Sequence, residues 1–140
     1  MATRQSTQHA LSDPQARSRP LTWVGAALLV AIAAIHVGVN VGFGLGFGYP
    51  GALFLLNAAG AIVLAAGILG GIRAAWHLGA VLAAASIVVY IVVHTTGLPG
   101  FYLEDWTAMV GILPLGPLSL VVEPLFLITY AVSFRGRRGH

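Results

Sequence analysis

The sequence predicts an all-α fold, a membrane four-helix bundle with both ends on the cytoplasmic side, and three observations carry that prediction. Of the 140 residues 58% are hydrophobic and only 8% are charged, with a mean hydropathy of +0.89, whereas a soluble domain carries roughly a quarter charged residues. The apolar residues fall into four runs of about 20 residues, each long enough to cross about 30 Å of hydrocarbon at about 1.5 Å per residue. The arginines lie before the first run, between the second and third, and after the fourth. Cations retained on alternate sides of the spans are the positive-inside pattern of a polytopic membrane protein.

Residues 1–20 are polar and rich in Ser, Thr, Gln and Pro. They bury too little apolar surface to offset the entropy of ordering, and are expected to be a disordered cytoplasmic tail. Residues 21–42 form an uninterrupted apolar run, the first span. A cleaved signal peptide is the rival reading, because Arg17 and Arg19 precede the run, but the run is longer than a signal's apolar stretch and more spans follow. The uncharged segment 43–50 alternates glycine with aromatics and leucine, as a tight turn against the membrane interface would. A second span covers about 51–71, Arg73 marks a short inner loop, Trp76 is expected at the headgroup level, and a third span covers about 76–96. Residues 97–105 read as a turn bearing two acids, Glu104 and Asp105.

The stretch 106–134 is longer than one crossing requires and contains Pro114, Pro117 and Pro124. Either one long kinked helix crosses, or 106–115 form an interfacial or re-entrant segment and the span is 116–134, with Pro117 in its first turn, where proline is tolerated. The second reading is favoured, because each proline inside a lipid-exposed helix removes a backbone bond that lipid cannot replace. Residues 135–140 are a basic cytoplasmic tail. The resulting topology places both termini inside and the 43–50 and 97–116 segments outside.

Composition also excludes chemistry. Without cysteine there are no disulfides, thiolate ligands or cysteine nucleophiles, so a metal would be held by His and carboxylate. The formal net charge of +3 does not indicate nucleic acid, since headgroups and topology explain arginines at span ends. Arginine without lysine in an Ala/Gly-rich chain is the usage of a GC-rich bacterial genome, which points to a bacterial cell membrane.

Polar side chains inside the spans carry whatever chemistry there is, because each is costly in lipid. They are His36, Asn40, Asn57, Ser86, Tyr90, His94, Ser119, Glu123 and Tyr130. Four-residue spacing puts His36 with Asn40, Ser86 with Tyr90 and His94, and Ser119 with Glu123 on shared helix faces. Counted from the outer span ends, His36, Asn57, His94 and Glu123 all fall in the outer part of the bilayer, and converging faces would make one outward pocket of His36, Asn40, Asn57, Tyr90, His94, Ser119 and Glu123. The convergence depends on the short fourth span.

Several readings of that cluster compete. His36, His94 and Glu123 are candidate ligands of a divalent metal, and the two histidines candidate axial ligands of a haem, although no paired ligand motif supports either. Glu123 facing a histidine would suit a proton relay or ion pair. The plainest reading is hydrogen bonding between helices, in contacts averaging under about 1 kcal/mol, and Glu123 fits it least. An enzyme would have only Ser86, Ser119 and the two histidines to work with, so a binding or accessory protein is preferred. A transporter or channel would need several copies, and a structural subunit a larger membrane complex.

The remaining features read as structure. Gly38 with Gly42, Gly67 with Gly71, and Gly79 with Ala83 let helices approach closely, within the chain sooner than in a homo-oligomer. His77 beside Trp76 reads as an interfacial anchor, and His9 and His140 lie in the tails. The glycine-rich 43–48 segment lacks the lysine and soluble context of a phosphate loop.

The run His94-Thr95-Thr96-Gly97-Leu98-Pro99-Gly100, followed by Trp106, Leu115-Gly116, Ser119 and Glu123, resembles the C-terminal half of a family of small four-helix membrane proteins of actinobacteria, and His36 with 49–57 is similar to its first half. The likeness spans about 21–134 and implies the fold; no activity attaches to the family. Its members often carry arginine at the position of His94, which implies a positive or polar partner for Glu123 in preference to an indispensable metal ligand.

Overall fold

The computed structural model describes residues 14–98 and 112–135, the side chains of 14–18 aside. Four helices carry the described chain: α1 (Pro14–Gly42), α2 (Tyr49–Leu69), α3 (Arg73–Thr95) and α4 (Leu115–Arg135). No strand occurs among the described residues, and all four helices are long and apolar enough to cross a membrane. The 97–105 turn and the 106–115 interfacial segment fall mostly outside the described residues, as do most of the two tails.

Local chemistry sets where each helix starts and stops. α1 begins within the segment expected to be a tail, and only Arg19–Gly42 of it is apolar enough to span. Pro20 lies inside that helix, near the watery end, where solvent can satisfy the carbonyl that a proline leaves unpaired. Gly44 and Gly46 take left-handed φ of +62° and +58°, reversing the chain after α1. Pro50 sits in the first turn of α2, where its missing N–H costs nothing. Gly71, at φ +77°, turns the chain between α2 and α3, and Ile72 N donates to Gly67 O at 2.9 Å. Arg73 is therefore the first residue of α3 and not a loop residue, and Gly71 acts as a turn former, not as half of a packing pair. α4 starts at Leu115 with Pro117 in its first turn, and Pro124 lies inside it with no N–H to give the Leu120 carbonyl.

The short 43–48 and 70–72 turns force neighbouring helices to run antiparallel. α1 packs against α2 and α4, and α3 against α4 and α2, which closes a four-membered ring; the α2–α3 seam is the slightest. The ring is unequal along its length. At the Arg73 end, small residues seat large ones: a Cβ on Gly25 would overlap the Trp76 ring, one on Gly79 would lie 2.8 Å from Phe126 Cζ, and one on Gly67 2.8 Å from Ala75 Cβ. Trp76 stacks on Phe126 at 5.9 Å between ring centroids and 18° between planes. Its half-buried ring sits in the notch left by Gly25, whereas Trp23, 66% exposed, is the outward-facing indole. Leu29, Ile32, Ala61, Ala83 and Phe126 are wholly buried in this half.

The outer surface is apolar on every helix, with Val30, Leu56, Val63, Val81, Val88, Val121 and Ile128 among its exposed side chains. A surface of this kind is unfavourable in water and natural against lipid tails.

Candidate functional site

At the end of the bundle formed by the 43–48 turn, the helices enclose a cavity of about 330 Å³. All four helices line it. α1 contributes Ile35, His36 and Val39; α2 contributes Leu53, Phe54 and Asn57; α3 contributes Leu82, Ser86, Val89, Tyr90, Val93 and His94; α4 contributes Leu115, Gly116, Ser119 and Glu123. The walls are mainly aliphatic and aromatic, with a few polar groups among them, as small-molecule sites generally are.

Depth follows from helical rise. His94 stands at the mouth, one residue from the end of α3. His36 lies six residues before the end of α1, about 9 Å down at about 1.5 Å per residue. Asn57 and Glu123 each lie eight residues into their helices, about 12 Å down, and form the floor. One turn deeper, Phe126 wedged against Gly79 and Leu29 closes the cavity off from the packed half.

Four of the polar side chains bond to carbonyls one turn back on their own helices, and one bond crosses between helices. His36 Nδ1 donates to Ile32 O at 2.9 Å, and His94 Nδ1 to Tyr90 O at 2.7 Å, both one turn back on their own helices. Carbonyls only accept, so each ring carries its proton on Nδ1 in the neutral form, and Nε2 is then an acceptor. His36 also contacts the Phe54 ring at 5.5 Å, and His94 stacks on Tyr90 at 4.1 Å. Asn57 Nδ2 donates to Ser86 Oγ at 2.6 Å and Ser86 Oγ to Leu82 O at 3.0 Å, so the α2–α3 seam is pinned at cavity-floor depth. Ser119 Oγ donates to Gly116 O at 2.9 Å.

Glu123 differs from all of these. It is 1% exposed, its Oε2 is buried, and that oxygen has no hydrogen-bond partner among the described residues; Asn57 Oδ1 is in the same condition. The described arginines lie at the other end of the bundle, Arg19 and Arg73 opening α1's span and α3, and Arg135 closing α4.

Of the side chains expected to cluster, His36, Asn57, Tyr90, His94, Ser119 and Glu123 line this cavity, with Ser86 beside them. Asn40 does not join them: its Nδ2 donates to Gly46 O at 3.1 Å and Gly51 O at 3.0 Å, tying the 43–48 turn to both helices it joins. Asn40 shares a helix face with His36 but sits one turn higher, within reach of the Gly46 carbonyl of the turn and the Gly51 carbonyl of α2, which take its amide. Among the described residues no three His, Asp or Glu side chains gather closely enough to hold a metal ion, so His36, His94 and Glu123 share a cavity without forming a three-ligand site. Both serines donate to carbonyls of their own helices, so neither hydroxyl is aimed at a base that would activate it.

A second polar constellation, at the opposite end, escaped the sequence reading. His77 Nδ1 and the Tyr130 hydroxyl share a 2.7 Å hydrogen bond, Phe134 packs on both rings, and the Arg73 guanidinium lies 5.4 Å over the Phe134 ring. Matching depths would have revealed it: His77 lies four residues after Arg73, and Tyr130 five before Arg135. These side chains brace α3 against α4, and Arg73 and Phe134 border a second cavity of about 300 Å³ whose wall, shared with Leu21, Thr22, Trp76 and Ser133, holds no buried carboxyl.

No family model matches this chain, no curated protein matches it, and no solved structure matches it. The chemistry of the cavity therefore rests on its own residues.

Proposed function

We propose that this chain is a multi-pass protein of a bacterial cell membrane, both termini cytoplasmic, that binds a small and largely apolar molecule in its four-helix cavity as a binding or accessory subunit. One observation carries this reading: at the end of the bundle formed by the 43–48 turn, all four helices line about 330 Å³ of largely apolar space that holds a fully buried carboxyl. A bundle stabilised only for its own sake gains by filling such space, since cavities in packed cores cost stability. The arginine distribution supports an outward-facing cavity, because the described arginines all lie at the far end of the bundle. Bonding of Asn57 to Ser86 and of both histidines to their own helices supports a preformed site, whose side chains need little ordering when a ligand enters.

Native mass spectrometry of the chain extracted from its own membranes tests the reading, alongside a cavity-filling variant, Ser119→Trp. The expected result is a one-to-one small-molecule adduct on the natural chain that is missing from a folded Ser119→Trp protein. A natural chain that is folded and carries no adduct, or an adduct that survives Ser119→Trp, would overturn it.

A further inference from the structure

We infer that the cavity selects a protonated amine with a compact apolar body, its ammonium group seated at Glu123. The inference rests on the binding reading above and names the ligand's chemistry.

It comes from a census of donors and acceptors. Five side-chain donors at the wall already have acceptors inside the bundle: His36 Nδ1 on Ile32 O, His94 Nδ1 on Tyr90 O, Asn57 Nδ2 on Ser86 Oγ, Ser86 Oγ on Leu82 O, and Ser119 Oγ on Gly116 O. At the floor, the second Asn57 N–H is the one amide donor not spent on Ser86, and the buried atoms without a partner are oxygens. Glu123 Oε2 and Asn57 Oδ1 are both buried and without a partner among the described residues, and His36 in its Nδ1–H form offers only a lone pair at Nε2. A ligand that merely accepts hydrogen bonds, such as a carboxylate or a phosphate, would meet mainly lone pairs and, at an ionised Glu123, a like charge. One that donates several N–H groups would satisfy atoms that are otherwise costly to bury.

Charge separates an ammonium from a neutral donor. The ionised form of a carboxyl buried about 12 Å down is stable only against a cation or several strong donors, and the described arginines all stand at the other end of the helices. The missing positive charge is one the ligand would bring. The aliphatic walls set by Ile35, Val39, Leu53 and Val93 call for an apolar body.

Three probes of matched shape test the inference: 4-fluorobenzylammonium, 4-fluorobenzyl alcohol and 4-fluorobenzoate, titrated by fluorine NMR against the full chain in lipid nanodiscs. The expected order is ammonium first, with at least about tenfold tighter binding than either of the others, the scale of a charge-assisted hydrogen bond. Glu123→Gln, nearly equal in size, is expected to erase that preference while the alcohol still binds. Equal or tighter binding of the benzoate, or no preference for the ammonium over the alcohol, overturns the amine assignment and leaves the binding cavity standing. If no probe binds the folded natural chain, or if all three bind Ser119→Trp as well, the binding reading itself fails. The order among probes on the natural chain decides the matter even if Glu123→Gln does not fold.

Discussion

Asn57 and Ser86 show how much one hydrogen bond can define in a bundle that has little hydrophobic drive between helices. Their 2.6 Å bond crosses the slightest seam of the ring. A double-mutant cycle with Asn57→Ala and Ser86→Ala, measured by unfolding in mixed micelles, should return a coupling of about 0.6 kcal/mol, typical for such contacts in lipid; zero coupling would mean the bond does not hold the seam. Asn40 holds two carbonyls at once, so Asn40→Ala should cost about 1 kcal/mol in the same assay. It should leave cavity binding nearly intact, because its amide serves the turn. At this scale the sequence was informative about which side chains matter, since polar residues in lipid are few. It was silent on which acceptor each would choose. Asn40 and His36 share a face, and only the position of the turn carbonyls sent one amide upward while the imidazole beside it lined the cavity.

Along each helix, side-chain volume decides where the bundle closes and where it opens. Gly25, Gly67 and Gly79 admit Trp76, Ala75 and Phe126 at one end, whereas the other end has branched and aromatic residues around a void. Gly79→Val should therefore push Phe126 out of place and cost about 1–3 kcal/mol. Phe126→Ala in the same chain should recover part of that loss, measured as the shift in detergent melting temperature; no recovery would mean that the strain lies elsewhere. Gly51→Ala should damage the turn by a different route, since its Cβ would run into the Gly46 carbonyl and the Asn40 amide. Helix number and approximate extent were legible from the length of the apolar runs, and the choice for the proline-rich segment followed from lipid's inability to replace lost backbone bonds. Helix starts were less legible. Arg73 looks like a loop marker by charge alone, yet a turn only three residues long, closed by Gly71 in a left-handed conformation, leaves it in the helix.

For the molecule as a whole, the proposed orientation can be tested cleanly because the chain has no cysteine. A membrane-impermeant maleimide should label Phe47→Cys in intact cells and Ile72→Cys only after permeabilisation; both positions are exposed turn residues. The reverse pattern would turn the cavity to the cytoplasm. The sequence by itself determined the number of helices long and apolar enough to cross a membrane and a short roster of polar groups within them, because hydropathy and charge are sums over residues that need no partner to be counted. What the roster does was decided by the tertiary structure. It brought Asn57 to Ser86 and His77 to Tyr130, gave Trp76 a glycine notch, and left Glu123 Oε2 alone at the floor of a cavity. The reason is physical: a hydrogen bond or a void depends on the relative rotation of helices far apart in the chain. Rotation is set by the fit of all four surfaces together, which no single span contains.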